Sequence, residues 1–257
     1  MKNFRTISGL IFLLVFAFCF GTVALGAEII PTESAAPAVG INIGIGDNPD
    51  GVVGTLQLLF LLATITIIPT LLIMLTSFTR IIIVLHFARS ALGTQQMPPS
   101  QVLLGLALFL TLFIMGPALT TINETAIQPY SAGIINQAEA LENAMAPLRD
   151  FMMRQASVRD VALFANLSGE VFATRYDVPN SVLIPAFLLG EITKGFQIGF
   201  YIFLPFIVID MIVASTLMAM GMMMLPPAMI SLPFKILIFV LADGWSLLLE
   251  GLIRGFR

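Results

Sequence analysis

From Ser181 to Gly251 the chain is almost continuously apolar, and Pro185, Pro205, Pro226, Pro227 and Pro233 punctuate the run. A helix rises about 1.5 Å per residue and a bilayer core is ~30 Å thick, so one crossing takes about 20 residues. The run therefore holds material for three helices or two long broken ones. Two further apolar segments precede it, Val52 to Leu75, interrupted by Pro69, and Val102 to Thr120, which begins just after Pro98 and Pro99. With 58% hydrophobic residues, 11% charged residues and a mean hydropathy of +0.99, the chain is a membrane protein. Its net charge of -3 comes without a Lys/Arg-rich block, which sets nucleic acid aside as a partner.

The N-terminus places Lys2 and Arg5 ahead of an apolar run, Leu10 to Phe20, followed by small residues around Ala24, Gly26 and Ala27. This is the pattern of a signal peptide over residues 1–27; the alternative is an ordinary first transmembrane helix. The only cysteine, Cys19, lies inside this segment, and Phe18 before it does not suit lipoprotein processing. Removal of the peptide leaves no thiol, which excludes a disulfide scaffold and cysteine metal sites. Residues 28–52, rich in Ala, Gly and Pro, read as an exported linker. Residues 53–122 form a first apolar hairpin region, 123–180 a polar extracytoplasmic helical region, and 181–257 a second apolar hairpin region. In the polar region Leu141, Met145, Leu148 and Met152 recur at helical spacing. They predict an amphipathic helix, either packed on a partner or on the embedded part, or solvated on its own chain.

Proline lacks the N–H that a first helical turn leaves unpaired but breaks a helix interior. Pro98, Pro99, Pro226 and Pro227 are therefore predicted to be the tips of two helical hairpins, giving an all-α membrane protein broken at Pro-Pro turns. The positive-inside tendency puts Arg80 and Arg89 in the cytoplasm, but an even number of spans leaves Arg254 and Arg257 outside, contrary to it. Just before the second proline pair stand Met222, Met223 and Met224. On one helix they would point in three directions about 100° apart; at a hairpin tip, with Gly221 loosening the entry, they can crowd one space. Methionine is apolar and flexible, so the run reads either as a deformable hydrophobic constriction or as gap-filling or lipid-facing packing.

Charges in apolar segments are expensive, about 2.5 to 3.5 kcal/mol for Asp or Lys at a helix centre. Glu191, Lys194, Asp210, Lys235 and Asp243 all carry that cost. Pairing offsets it, Glu191 or Asp210 with Lys235, within one chain or between neighbouring chains. The functional alternative is a proton-coupled or solute transporter using Asp210, Lys235 and Asp243. An intramembrane aspartyl protease is a third reading, but the segments IVIDMIV and LADGW lack a glycine-flanked aspartate of the expected kind. His86 is the only histidine, and its neighbours Leu85 and Phe87 suit packing. No phosphate-binding glycine loop is present, so neither catalysis nor a cofactor or metal is expected.

The blocks SFTRIIIVLHFARSALGTQQMPPSQVLLGLALFLTLFIMGP and FLLGEITKGFQIGFYIFLPFIVIDMIVASTLMAMGMMMLPPAMISLPFKILIFVLADGW closely resemble the FliP family of flagellar type III export-gate proteins. The likeness runs from about Leu56 to Glu250, with small departures at His86, Ala88 and Ser90. Virulence-type secretion homologues are similar, but a cleavable signal peptide is more typical of the flagellar branch. The resemblance implies a multichain helical channel complex in the bacterial inner membrane and flagellar basal body, with several copies of this chain and FliQ-like and FliR-like subunits. Its cargo would be unfolded flagellar proteins, and much of the assembly would stand above the bilayer plane. The resemblance further implies that Met222, Met223 and Met224 line the channel constriction, and that Glu191, Asp210 and Lys235 pair between subunits.

Overall fold

The computed structural model describes residues 62, 63, 66, 67, 70, 71, 73–94, 96–169, 172, 174–222 and 224–256. The signal peptide, the linker and most of the Val52 to Leu75 segment lie outside them. Every regular element among the described residues is helical: α1 (Phe78–Leu92), α2 (Ser100–Ile122), a π-helical turn (Asn123–Ile127), α3 (Gln128–Ser131), α4 (Gln137–Gln155), α5 (Val158–Ser168), a 3-10 turn (Arg175–Asp177), α6 (Asn180–Ala219), α7 (Pro227–Leu241) and α8 (Gly244–Arg254).

Helix α1 is the hub. Ile81, Val84, Leu85, Ala88, Ala91 and Leu92 recur at helical spacing and are buried. Its main partner is α6, which meets it through glycines one turn apart. A Cβ at Gly195 would stand 3.0 Å from Ile83, and one at Gly199 2.4 Å from the ring of Phe87. Small residues at this spacing let two apolar helices approach closely where burial from water drives nothing. Phe87 then packs edge-on against Phe196 and Phe203.

Helix α2 starts at Ser100 with Pro99 as its N-cap and continues through Pro117 and the π turn into α3. The hydroxyls of Thr120, Thr121 and Thr125 donate to carbonyls four residues back and so absorb the region's polar side chains. Helix α4 opens with a capping box, in which Asn136 accepts from the Glu139 N–H and Glu139 accepts from the Asn136 N–H. Its Leu148 and Met152 are buried against the body of its own chain and Met145 is partly so, but Leu141 is exposed. The buried stripe is therefore shorter than the spacing predicts and is completed by Phe151 and Met153.

After α5, capped by Ser157 and closed by Gly169 in the left-handed region, Arg149 fastens the connector to α6. It donates to Asn180 Oδ1 (2.6 Å), to the Tyr176 carbonyl (2.8 Å) and to the Val178 carbonyl. Helix α6 then runs for 40 residues despite Pro185 and Pro205, about 60 Å at 1.5 Å per residue. The long apolar run thus resolves into α6 and a pair, α7 and α8, bent by 63°. The stretch Ser100–Ser131 and α6 are each long and apolar enough to cross a membrane, and the bent pair would be a third such element.

Both proline pairs stand at the connections between helices, and a glycine ends the helix before each of them. Helix α1 stops at Gly93 (φ 75°) and α6 at Gly221 (φ 73°), several residues before the prolines. Glycine takes this left-handed conformation without a Cβ clash, so it is the residue that ends the helix. The prolines begin the next helix instead: Pro99 caps α2, Pro226 caps α7 and Pro227 is its first residue. Both loops share one spacing, a glycine, four residues and two prolines, from Gly93 to Pro99 and from Gly221 to Pro227.

Candidate functional site

The methionine loop is built by this glycine. The Gly221 N–H donates to the Met218 carbonyl (3.0 Å) and the Met222 N–H to the Leu217 carbonyl (3.0 Å). This paired return is a Schellman motif, which satisfies the last carbonyls of α6 and turns the chain out of the helix axis. The methionines after it are released from helical spacing. Met222 is 48% and Met224 97% exposed, whereas Met223 lies outside the described residues. Met218, Met220 and Leu225 are exposed nearby, so the tip of the α6–α7 hairpin presents soft apolar side chains that the chain itself does not cover.

Of the two partners expected for Lys235, the structure places Asp210 beside it. Lys235 Nζ donates to Asp210 Oδ2 at 2.7 Å and to the Ala91 carbonyl at 3.4 Å, and Ser231 Oγ donates to Asp210 Oδ1 at 2.5 Å. Thus α7 is fastened to α6 and to the last turn of α1 eight residues after its first residue, Pro227.

Glu191 is not part of that cluster. Its carboxylate, 0% exposed, takes two hydrogen bonds from Arg80, itself 2% exposed: Nε to Oε2 at 2.9 Å and Nη2 to Oε1. The planar guanidinium fork matches a carboxylate, and such two-point pairing offsets the desolvation of both charges. Arg80 Nη2 also donates to Gln155 Oε1 (2.8 Å) and Nη1 to the Gly255 carbonyl (3.0 Å). Lys194 stands 3.9 Å from Glu191 and donates to the Gln155 carbonyl at 2.6 Å. Glu191, Asp210 and Lys235 therefore find partners within one chain, Glu191 with Arg80 and Asp210 with Lys235. Arg80, which the positive-inside tendency reads as a cytoplasmic charge, is the central donor of a buried network. The signal for it was one arginine ahead of three isoleucines on an apolar helix.

Asp243 sits apart, exposed at the bend between α7 and α8, with φ 49°. Among the described residues it makes no ion pair, and no group of three or more His, Asp or Glu is placed to hold a metal ion.

His86 lies at the edge of this region on α1. Arg89 Nη2 is 3.1 Å from His86 Nδ1, and since arginine only donates, Nδ1 accepts. Arg89 Nη1 also donates to Ser100 Oγ (2.9 Å) and the Pro98 carbonyl (3.4 Å), tying α1 to the start of α2. Burial, and then the neighbouring Arg89 charge, hold the imidazole below its usual value. The unfolded chain therefore takes up more protons than the folded one as pH falls below about 6.5, and stability is lost on acidification and regained as pH rises. Thermal unfolding in detergent between pH 7.5 and 5 is expected to show this loss, and His86→Gln, which keeps an acceptor but no titration, to flatten it. An identical profile in both would remove His86 as the source.

The FliP family model matches residues 61–252. The flagellar biosynthetic protein FliP of Bacillus subtilis is 50% identical over 217 residues, covering 84% of this chain and 98% of that protein. That of Pectobacterium carotovorum is 52% identical over 204 residues, 79% of each chain. That of Borreliella burgdorferi is 51% identical over 206 residues, 79% of this chain and 81% of its own.

Proposed function

The chain belongs to the FliP family, whose relatives here are flagellar biosynthetic proteins, and from that membership we propose that it is a channel-forming core subunit of the flagellar type III export gate. Unfolded flagellar proteins would pass through it across the bacterial inner membrane. Several copies would assemble with FliQ-like and FliR-like subunits in the basal body, after removal of the signal peptide at 1–27 and with 28–52 as exported linker. The chain would act by assembly and sealing, without catalysis or a cofactor.

The single observation that carries this reading is the methionine loop. A Schellman turn throws the exposed Met222 and Met224 off the end of an apolar helix, where several copies around an axis would make a narrow, deformable, water-excluding ring. Unlike a rigid constriction, such a ring yields to side chains of different shape. A second observation supports assembly. Along α6, Phe196, Phe200, Tyr201, Val208, Met211 and Ile212 are exposed, a surface larger than a lone soluble subunit leaves bare. Lipid and neighbouring subunits would share it.

The transporter reading is not favoured. Asp210 and Lys235 satisfy each other, and Asp243 lies at an exposed bend rather than beside them. The two readings part on size: purification in mild detergent is expected to yield a large multichain ring by native mass measurement. A monomer or a small closed unit would sink the gate.

A further inference from the structure

The second leg of the methionine hairpin is fastened twice. The first fastening is Lys235 on Asp210 and the Ala91 carbonyl. Beyond it α7 bends by 63° into α8, whose Trp245, Leu248, Leu249 and Leu252 pack on the core. The outer face of α8 is uncovered, with Leu247 exposed and Arg254 paired to Glu250 at the surface. The second fastening comes just after α8. The Gly255 carbonyl accepts from Arg80 Nη1, and the Phe256 ring lies 3.8 Å from the guanidinium carbon. Phe256 also stacks on Phe151 at 6.3 Å, and its carbonyl accepts from Gln155 Nε2 at 3.1 Å.

The two fastenings grip opposite ends of α1 and two well-separated points on α6. Arg80 is in the first turn of α1 and Ala91 in the last; Glu191 and Asp210 are 19 residues apart on α6, about 28 Å at 1.5 Å per residue. Held at one point, the arm made of α7 and α8 could swing about its contact with α6. Held at two, its line along α6 is set, and with it the position at which Pro227 receives the chain from the methionine loop. Glu191 and Gln155 already occupy two sides of the buried guanidinium, and the segment after α8 supplies both its remaining acceptor and an aromatic face. Cation–π contacts of this kind gain strength when desolvated, so the fastening is strongest while the segment stays docked.

We propose that Arg80 and Phe256 are positioning residues for the methionine loop. By clamping the end of α8 they hold the arm against α1 and α6, and releasing the clamp loosens the ring that the loop forms. This rests on the reading of the loop as a constriction, so the test has two separate readouts.

The full chain with Cys19→Ser and Leu252→Cys, in the purified complex, carries a thiol at a position that is 2% exposed in the native chain. Labelling by a water-soluble maleimide is expected to be slow, to quicken about tenfold or more with Phe256→Ala as local opening becomes easier, and to return to the slow rate with Phe256→Tyr, which restores the ring. In liposomes, Phe256→Ala is expected to raise ion permeability at unchanged complex mass, and Phe256→Tyr to restore the seal. A purely structural role would leave permeability and mass coupled. Labelling already fast before the change, or unaffected by it, overturns the clamp. Permeability unaffected by Phe256→Ala, in a preparation where replacing Met222 to Met224 causes leakage, overturns its link to the loop. If the methionine replacement itself causes no leak, the constriction reading fails, and labelling still decides whether the arm is clamped. Where Phe256→Ala prevents assembly, Phe256→Leu, which keeps bulk without the ring, takes its place with the same outcomes.

Discussion

Replacement of Met222, Met223 and Met224 together by alanine is expected to leave the complex assembled and to make the closed channel leak ions. The separation of these two effects follows from where the side chains are. Met224 is almost wholly exposed and Met222 about half so, and truncating exposed side chains changes stability by roughly 0.5 kcal/mol or less. The backbone turn does not depend on the methionine side chains either, since the Gly221 and Met222 N–H groups make it. On the constriction reading, what alanine removes is the material that would fill the axis. A narrow apolar ring stops ions by being too dry to hydrate them, and widening it admits water. A rise in ion permeability of about tenfold corresponds to ~1.4 kcal/mol less barrier and is measurable in liposomes. Leakage that does not change, with the complex intact, would return these residues to plain gap-filling. Replacement by leucine is the sharper control. Leucine keeps the apolar bulk but is branched and stiffer, so it should seal against ions while passing bulky segments of cargo more slowly.

Local chemistry was legible in the sequence where the pattern was local. The Leu148 and Met152 stripe, the apolar lengths of α2 and α6, and the need for the embedded charges to find partners could all be read from spacing and composition. The Pro-Pro pairs mark where the next helices start, but the glycines that end the preceding ones are a quieter signal. A proline disfavours helix in the residue before it, but Gly93 and Gly221 had already turned the chain. Their matching distance to the two proline pairs was present in the sequence and unread. The partners of Arg80 were not legible in the sequence. Its acceptors are 75, 111 and 175 residues away, on α4, on α6 and after α8, and no periodicity links positions so far apart. Hydropathy also hides it, because one arginine among isoleucines barely lowers a window average.

That hidden partner changes the outcome of the charge-swap experiment that the sequence suggests. Glu191→Lys is expected to abolish assembly, and adding Lys235→Glu is expected not to rescue it. The swap would rescue only if the two residues faced each other. The structure instead gives Glu191 to Arg80 and Lys235 to Asp210, so the double change sets two cations together at the first pair and two anions at the second. Each is worse than a missing partner. Breaking a buried pair by removing one member already costs about 3 to 5 kcal/mol, because the survivor keeps its charge without compensation. For Arg80 that cost falls on a guanidinium with almost no access to water. The informative comparison is within each pair. Asp210→Asn with Lys235→Met removes both charges of the second pair, and should recover much of the assembly lost on changing Asp210 alone. Glu191→Gln with Arg80→Met should recover less. Arg80 also serves the Gly255 carbonyl and Gln155, and a methionine leaves both of those acceptors empty. Assembly yield by gel filtration and the temperature at which the complex falls apart measure both double variants against their singles. Rescue by Glu191→Lys with Lys235→Glu would contradict the Arg80–Glu191 pairing outright, since no other arrangement of these four charges lets that swap succeed.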